Sequence, residues 1–246
     1  MADLVVIVPS RGRPEAAYDV CEAFIETCAA DTLLLVSIDA DDPTCDDYLG
    51  RVRNDIGAVL KSEDPRNMGE SLASAVDFCL DPVRPPEPSL RDRFADPFAI
   101  GFAGDDHRPR TKGWDQAYLD VLREMGTGIV YGNDLLQGGK LPTQVAMTSD
   151  IVRALGYMAP PKLVHLYFDN FWLDLGKAAD CIRYLPDVVV EHMHPIAGKA
   201  KWDDGYKRVN ASSMYEHDAA AYAEYKRDRF ADDVARVVAL RGVAAV

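Results

Sequence analysis

Gly101–Arg108 reads GFAGDDHR, and this stretch decides how the chain folds. The apolar run Phe98–Ala103 leads into Gly104-Asp105-Asp106-His107. A buried strand therefore ends by presenting two carboxylates and an imidazole at its tip. In an open α/β sheet, ligands bind there, outside the carboxyl ends of the strands. Asp and His together suit a divalent metal, and a metal suits a phosphorylated substrate. Acidic residues at strand ends also serve as plain turn formers, so the choice rests on the rest of the chain.

Upstream of this stretch, strand and helix signals alternate. Leu4–Val8 is a fully apolar strand, followed by the turn formers Pro9-Ser10-Arg11-Gly12-Arg13-Pro14. Ala17, Val20, Phe24 and Cys28 recur at helical spacing and predict a helix over 15–29. A second strand, Thr32–Ile38, runs into Asp39-Ala40-Asp41-Asp42-Pro43. A helix over 45–55 and a short strand at Val59-Leu60 are expected next. Arg66-Asn67-Met68-Gly69 opens a helix with Leu72, Val76 and Cys79 on one face. Residues 81–97 hold five of the 15 prolines and read as a loop.

Downstream, the pattern predicts a helix over 114–125 and strands at 128–131 and 143–148. A helix capped by Thr148 or Ser149 stops at Gly156. A helix over 168–175, a strand at 188–192 and one helical stretch over 214–240 complete the reading. The expected fold class is α/β. It consists of a mainly parallel sheet with helices on both faces and a C-terminal helical extension. The second half reads as an appendage on that sheet.

Composition bounds the function. The 246 residues are 48% hydrophobic and 27% charged, as in a soluble globular protein with an ample core. No apolar run reaches membrane-spanning length, so no membrane partner is expected. The N-terminus enters a strand without a basic region or cleavage site, so no secretory signal is expected. The five cysteines, Cys21, Cys28, Cys45, Cys79 and Cys181, form no CxxC pair. They predict reduced core thiols in a cytoplasmic protein. The net charge of −13 weighs against a broad nucleic-acid surface. Two local basic clusters, Arg108/Arg110/Lys112 and Lys199/Lys201/Lys207/Arg208, partly offset it.

The order of these features resembles the nucleotide-sugar half of GT-A glycosyltransferases: apolar strand, Pro-Ser-Arg-Gly-Arg loop, strand ending in Asp39, Asn67-x-Gly69 helix, Asp-Asp-His tip. The resemblance covers roughly residues 4–195. It extends to the small glycosyltransferases encoded by bacteriophages of actinobacteria. It implies a single GT-A domain over 1–246. Residues 1–135 form the nucleotide-sugar half, 136–212 the acceptor side with a closing loop, and 213–246 a C-terminal helix.

The resemblance also implies roles. Pro9, Ser10, Arg11, Arg13, Asp39, Asp41, Asn67, Gly69 and Asp105 belong to the nucleotide sugar, with Asp134 lining the sugar pocket. Asp39 accepting an imide N–H would favour UDP. Asp106 and His107 are taken as ligands of Mn2+ or Mg2+, although any two of Asp105, Asp106 and His107 fit the pattern. Polypeptide N-acetylgalactosaminyl transferases add a later His to an Asp-x-His site. Here His192 and His194 share one face of a strand, and His194, nearer the loop, is preferred. A structural His pair is the other reading. Lys199 and Lys201 sit in the segment expected to close over the diphosphate, with Trp202 and Tyr206. Charge developing on a departing diphosphate needs such cations.

On the acceptor side, Asp169 lies among Tyr167, Phe168, Phe171 and Trp172. Desolvation there raises a carboxyl pKa and suits a general base. A helix cap is the alternative, and His165 is a weaker candidate base. A base at Asp169 implies inversion, whereas the Asp-x-His resemblance leans toward retention. The expected function is metal-dependent transfer of a hexose, most simply from a UDP-sugar, to an acceptor hydroxyl. The resemblance allows hydroxymethylated pyrimidine in phage DNA or a Ser or Thr of a virion protein. A nucleotidyltransferase would need a Gly-rich signature and a following Lys after the first strand. A catalytically silent nucleotide-binding module is the remaining alternative.

Overall fold

The structure is a computed structural model that describes residues 2–62, 67–80 and 92–243. Arg66 and most of the proline-rich loop, 81–91, lie outside the described residues. Strand β1 (Leu4–Pro9) pairs in parallel with β2 (Thr32–Asp39) on one side and β4 (Ala99–Phe102) on the other. Strand β3 (Gly57–Ser62) extends the sheet beyond β2, also in parallel.

The second half continues the same sheet. β7 (Val145–Thr148) pairs antiparallel with β4 and with β6 (Ile129–Asn133). β6 pairs in parallel with β8 (Ile182–His192), and the short β5 (His107–Pro109) closes the edge antiparallel to β8. The order is β3-β2-β1-β4-β7-β6-β8-β5. The expected parallel half is present, and the second half makes the sheet mixed. The chain passes from β6 to β7 through a short loop, and such a connection joins antiparallel strands without a crossover helix.

Alternation along the strands sorts the core into two layers. Val5, Ile7, Leu33, Leu35, Ile100, Phe102 and Met147 face one side. There they meet α3 (Met68–Leu80), α5 (Ser149–Leu155) and α6 (Phe168–Ala178). Leu4, Val6, Val8, Leu34, Val36 and Ile38 face the other side, against α1 (Pro14–Thr27), α2 (Cys45–Tyr48) and α4 (Trp114–Met125). Pro14 opens α1, where its missing N–H costs no helical bond.

Three boundaries differ from the sequence reading. The helix expected over 45–55 is one turn, because Tyr48 is the residue buried there and the chain then turns out through exposed Leu49 and Gly50. Strand β8 begins well before Val188, since its first part pairs with β6. The C-terminal stretch is two helices, α8 (Ser212–Asp228) and α9 (Phe230–Val243), broken at Arg229. Buried Asp233 on α9 accepts hydrogen bonds from Tyr157 and Tyr225 and ties the second helix back to the core.

Candidate active site

The chain leaves β1 for β2 on one side and returns to β4 on the other. The loops after β1 and β4 therefore diverge and open a crevice. Two side chains cross its floor. Ser10 Oγ donates to Asp105 Oδ2 at 2.7 Å, and Arg13 Nη1 reaches Asp105 Oδ1 at 3.2 Å. A cleft of about 880 Å³ extends from here to the start of α6. Pro9, Ser10, Arg11, Arg13, Asp39, Asp41 and Asn67 line one end of it. Asp169, Tyr167, His165 and Leu166 line the other.

The nucleoside-side wall is tightly tied. Arg11 Nη1 donates to Asp39 Oδ2 at 3.0 Å, and both its terminal nitrogens hold Asp41. Asn67 Oδ1 accepts from the Glu70 N–H at 3.0 Å and caps α3. Gly69 is a glycine by necessity, since an added Cβ would lie 2.2 Å from the Leu163 carbonyl oxygen. Its own N–H donates to Val164 O at 3.1 Å. Thus α3 is pressed directly onto the 163–166 segment.

At the centre, Asp106, His107 and His192 place one ligand atom each within 4.8 Å of one another. His107 Nδ1 stands 3.3 Å from Asp106 Oδ1, and His192 Nε2 stands 3.2 Å from Asp106 Oδ2. The two rings stack with centroids 4.2 Å apart. The residues are brought together by pairing β5 with β8, where His107 lies opposite His192. The Gly104 N–H donates to His107 Nδ1 at 3.0 Å, and Thr143 Oγ1 donates to Asp134 Oδ2 at 2.9 Å. The His107 ring proton then sits on Nε2, facing Thr143 Oγ1 at 3.2 Å.

This donor set fits a divalent cation once the Gly104 N–H releases the lone pair of His107 Nδ1. One carboxylate and two imidazoles serve such an ion, and a ligating histidine turns its other nitrogen toward a carboxylate. His192 does so. Its Nδ1 is buried, has no hydrogen-bond partner among the described residues, and lies 3.9 Å from Asp134 Oδ2.

Electrostatics follow the geometry. Burial and the Asp106 charge push the Asp105 carboxyl up to about 6. Burial also opposes ionisation of Asp106, but the charged His192 beside it overcomes this and holds Asp106 well below the usual carboxylate range. Burial lowers the His192 pKa, yet Asp106 and Asp134 outweigh it and raise the group to about 9. Burial and the His192 charge lower the His107 pKa. Burial likewise raises the Asp169 carboxyl above its ordinary range.

Several sequence-selected residues take other places. Asp105 turns away from His107 toward Ser10 and Arg13, because the chain reverses within Gly104–His107 instead of running on as an extended strand. His194 stands outside the Asp106–His107–His192 group. It packs its ring on His192 at 5.1 Å and on Tyr206 at 5.1 Å, and lines the cleft. The β5 pairing selects His192 because β8 ends there.

Asp134 is 1% exposed and lies beneath the site, where its Oδ1 accepts from the N–H groups of Leu136, Gln137 and Gly138. Lys199 and Lys201 line a second cleft of about 970 Å³, across the wall formed by Arg13 and Tyr206. Lys199 pairs there with Glu191 at 2.8 Å. Trp172 is 1% exposed and is chiefly core, with Nε1 donating to Met158 O at 2.8 Å.

One neighbour of the site, Asp218, escaped the sequence reading, and Tyr206, expected in the closing segment, makes a contact that reading did not assign. Asp218 on α8 is fully buried and accepts from the consecutive N–H groups of Val164, His165 and Leu166 at 3.0, 2.9 and 2.6 Å. It holds the segment that leads into Tyr167, whose φ of +66° is unusual outside glycine, and then into Asp169. Tyr206, on α7 (Asp204–Val209), donates to Asp106 Oδ2 at 2.8 Å. No local motif marks Asp218, which sits in an ordinary helical pattern more than 50 residues from its partners.

No protein-family model matches the chain, and no curated protein does either. Solved structures do. The mannosyltransferase PcManGT from Pyrobaculum calidifontis, in complex with GDP-Man and Mn2+, aligns over 99% of this chain and 75% of its own, with TM-score 0.59 and 13% identity. S. aureus TarS in complex with UDP-GlcNAc aligns over 94% of this chain and 73% of its own, with TM-score 0.56 and 12% identity. Glucosyl-3-phosphoglycerate synthase from Mycobacterium tuberculosis, in complex with Mn2+, UDP and glucosyl-3-phosphoglycerate, aligns over 91% of this chain and 79% of its own, with TM-score 0.58 and 12% identity. The class that this architecture defines is the GT-A glycosyltransferase fold. No helix among the described residues is long and apolar enough to cross a membrane.

Proposed function

We propose that this chain is a divalent-metal-dependent glycosyltransferase. It moves a hexose from a nucleotide sugar, most simply a UDP-sugar, to an acceptor hydroxyl. The observation that carries the reading is the Asp106–His107–His192 group at the reversal point of the sheet, opening into a cleft that ends at Asp169. The fold's neighbours with nucleotide sugars and Mn2+ support it.

Asp106, His107 and His192 would hold Mn2+ or Mg2+. When bound, the ion supplies positive charge where the departing diphosphate becomes more negative. Ser10 and Arg13 keep Asp105 aimed at the crevice floor. Arg11, Asp39, Asp41 and Asn67 would receive the nucleoside. Lys199 and Lys201 would reach the diphosphate only if the Arg13–Tyr206 wall shifts. Asp169, kept less acidic by burial, would take the acceptor's proton at a carboxylate oxygen. The acceptor reading retains a hydroxymethylated pyrimidine in DNA or a protein hydroxyl, in keeping with the phage-type resemblance of the sequence.

The test is calorimetric titration of UDP and GDP into the protein, with Mn2+ and with EDTA. Mn2+-dependent UDP binding that disappears in Asp106→Ala is the expected result. Absence of binding by either nucleotide in Mn2+ would overturn the reading.

A further inference from the structure

Within the Gly104–His107 turn only His107 belongs to a strand, yet each of the turn's backbone carbonyls is satisfied. Gly104 O accepts from the His107 N–H at 3.0 Å, and Asp106 O accepts from the Met193 N–H at 2.8 Å. The remaining two, Asp105 O and His107 O, both accept from a single nitrogen, Arg108 Nη1, at 2.8 Å each. Arg108 is 9% exposed, unusual for an arginine, and its Nη2 reaches Asp19 on α1 at 3.2 Å. Asp19 is mostly exposed, with 61% of its side chain accessible.

The fork is specific. The guanidinium carries its donors in a fixed plane, so one group can hold two carbonyls while a second edge is anchored elsewhere. Asp105 O belongs to the peptide before Asp106, and His107 O to the peptide after His107. Fixing them fixes the two ends of the Asp106–His107 pair and the start of β5, where His107 stands opposite His192.

We propose that Arg108 is a positioning residue for the candidate metal group. Its guanidinium locks the peptides at both ends of the Asp106–His107 pair, and so aims Asp106 and His107 at His192. The proposal rests on the metal reading of that group. It concerns a residue that touches none of the three proposed ligand atoms.

The proposal has a sign that plain electrostatics lacks. Removing a cation near a cation site strengthens metal binding by Coulomb's law. Removing a support of the ligands weakens it, typically by about ten- to a hundredfold. Mn2+ alone is the probe, titrated into wild type, Arg108→Gln, Arg108→Lys and Arg110→Gln, with circular dichroism and thermal melting to confirm folding. Arg110 is the control: it is an exposed cation on Glu191 at 2.8 Å and makes no bond to the turn's carbonyls.

The expected result is Mn2+ affinity reduced by about tenfold or more in Arg108→Gln. Arg108→Lys should also weaken binding, since an ammonium lacks the planar fork. Arg110→Gln should stay within about fivefold of wild type. Equal or tighter Mn2+ binding in a folded Arg108→Gln, or in folded Arg108→Lys should the first variant not fold, overturns the proposal alone. No Mn2+ binding by wild type overturns the metal reading and this proposal with it.

Discussion

Tyr206 Oη donates to Asp106 Oδ2 at 2.8 Å, the same carboxylate oxygen that His192 Nε2 faces at 3.2 Å. One lone-pair region of the candidate ligand is thus occupied by a phenol from α7. Arg13 stacks on that ring at 3.9 Å and is held in turn by Asp203 at 2.7 Å. The segment 203–206 therefore closes on the Asp106–His107–His192 group through a side chain that occupies one of its oxygens.

Tyr206→Phe removes that hydroxyl while keeping the ring. Mn2+ affinity should rise by about ten- to a hundredfold, the worth of one hydrogen bond to a charged group. Calorimetry with Mn2+ checks this, and weaker binding in the variant would mean that the phenol supports the site instead.

Metal binding should release a proton at neutral pH. With its pKa raised to about 9, His192 is charged at pH 7 and must lose its proton to become a ligand. Titrating Mn2+ at pH 7 in buffers of different ionisation enthalpy should give heats that differ by the release of about one proton. Affinity should climb as pH rises toward 9. The stability of the metal-free protein has the opposite sign. The raised His192 pKa stabilises the fold fully below its ordinary value of 6.5, and this contribution fades as pH rises through about 9. Thermal melts across pH 6–10 in EDTA check this direction.

Asp169→Asn should reduce transfer by about a hundredfold or more while leaving Mn2+-UDP binding near wild type. A carboxyl raised by burial also predicts that the acid limb of the rate profile lies above the ordinary carboxylate range. Unchanged turnover in the variant would return Asp169 to the role its Oδ1 already shows, accepting from the Asn170 N–H at 2.8 Å.

Gly69→Ala should destabilise the fold by about 1–3 kcal/mol, since backbone at Leu163 must move to admit a methyl group. A lowered melting temperature with weakened nucleotide binding is the expected pair of results. Binding lost without any change in stability would point to direct contact with the ligand.

Asp218→Asn removes the charge that three consecutive N–H groups share. Hydrogen bonds to a charged group contribute a net of about 1.5–3 kcal/mol each. Faster amide exchange at Val164, His165 and Leu166 is the specific outcome to measure, together with a lower melting temperature.

The sequence by itself determined the strand–helix alternation, the two-faced burial of β1 and β2 and the polar strand ends at Ser10, Asp39 and Asp106. These are local properties: period-2 and helical spacing report burial, and Gly, Pro and Asp report where an element stops.

Only the tertiary structure decided which side chains meet. That His192, and not His194, stands opposite His107 depends on the register of β5 against β8 and on β8 ending at His192. Arg108, Asp218 and Tyr206 reach their partners by long-range packing. A buried arginine, a buried carboxylate and a phenol on a short helix look like surface residues in one dimension. Their chemistry arises when the fold removes water and supplies a carbonyl, an N–H or a carboxylate in its place.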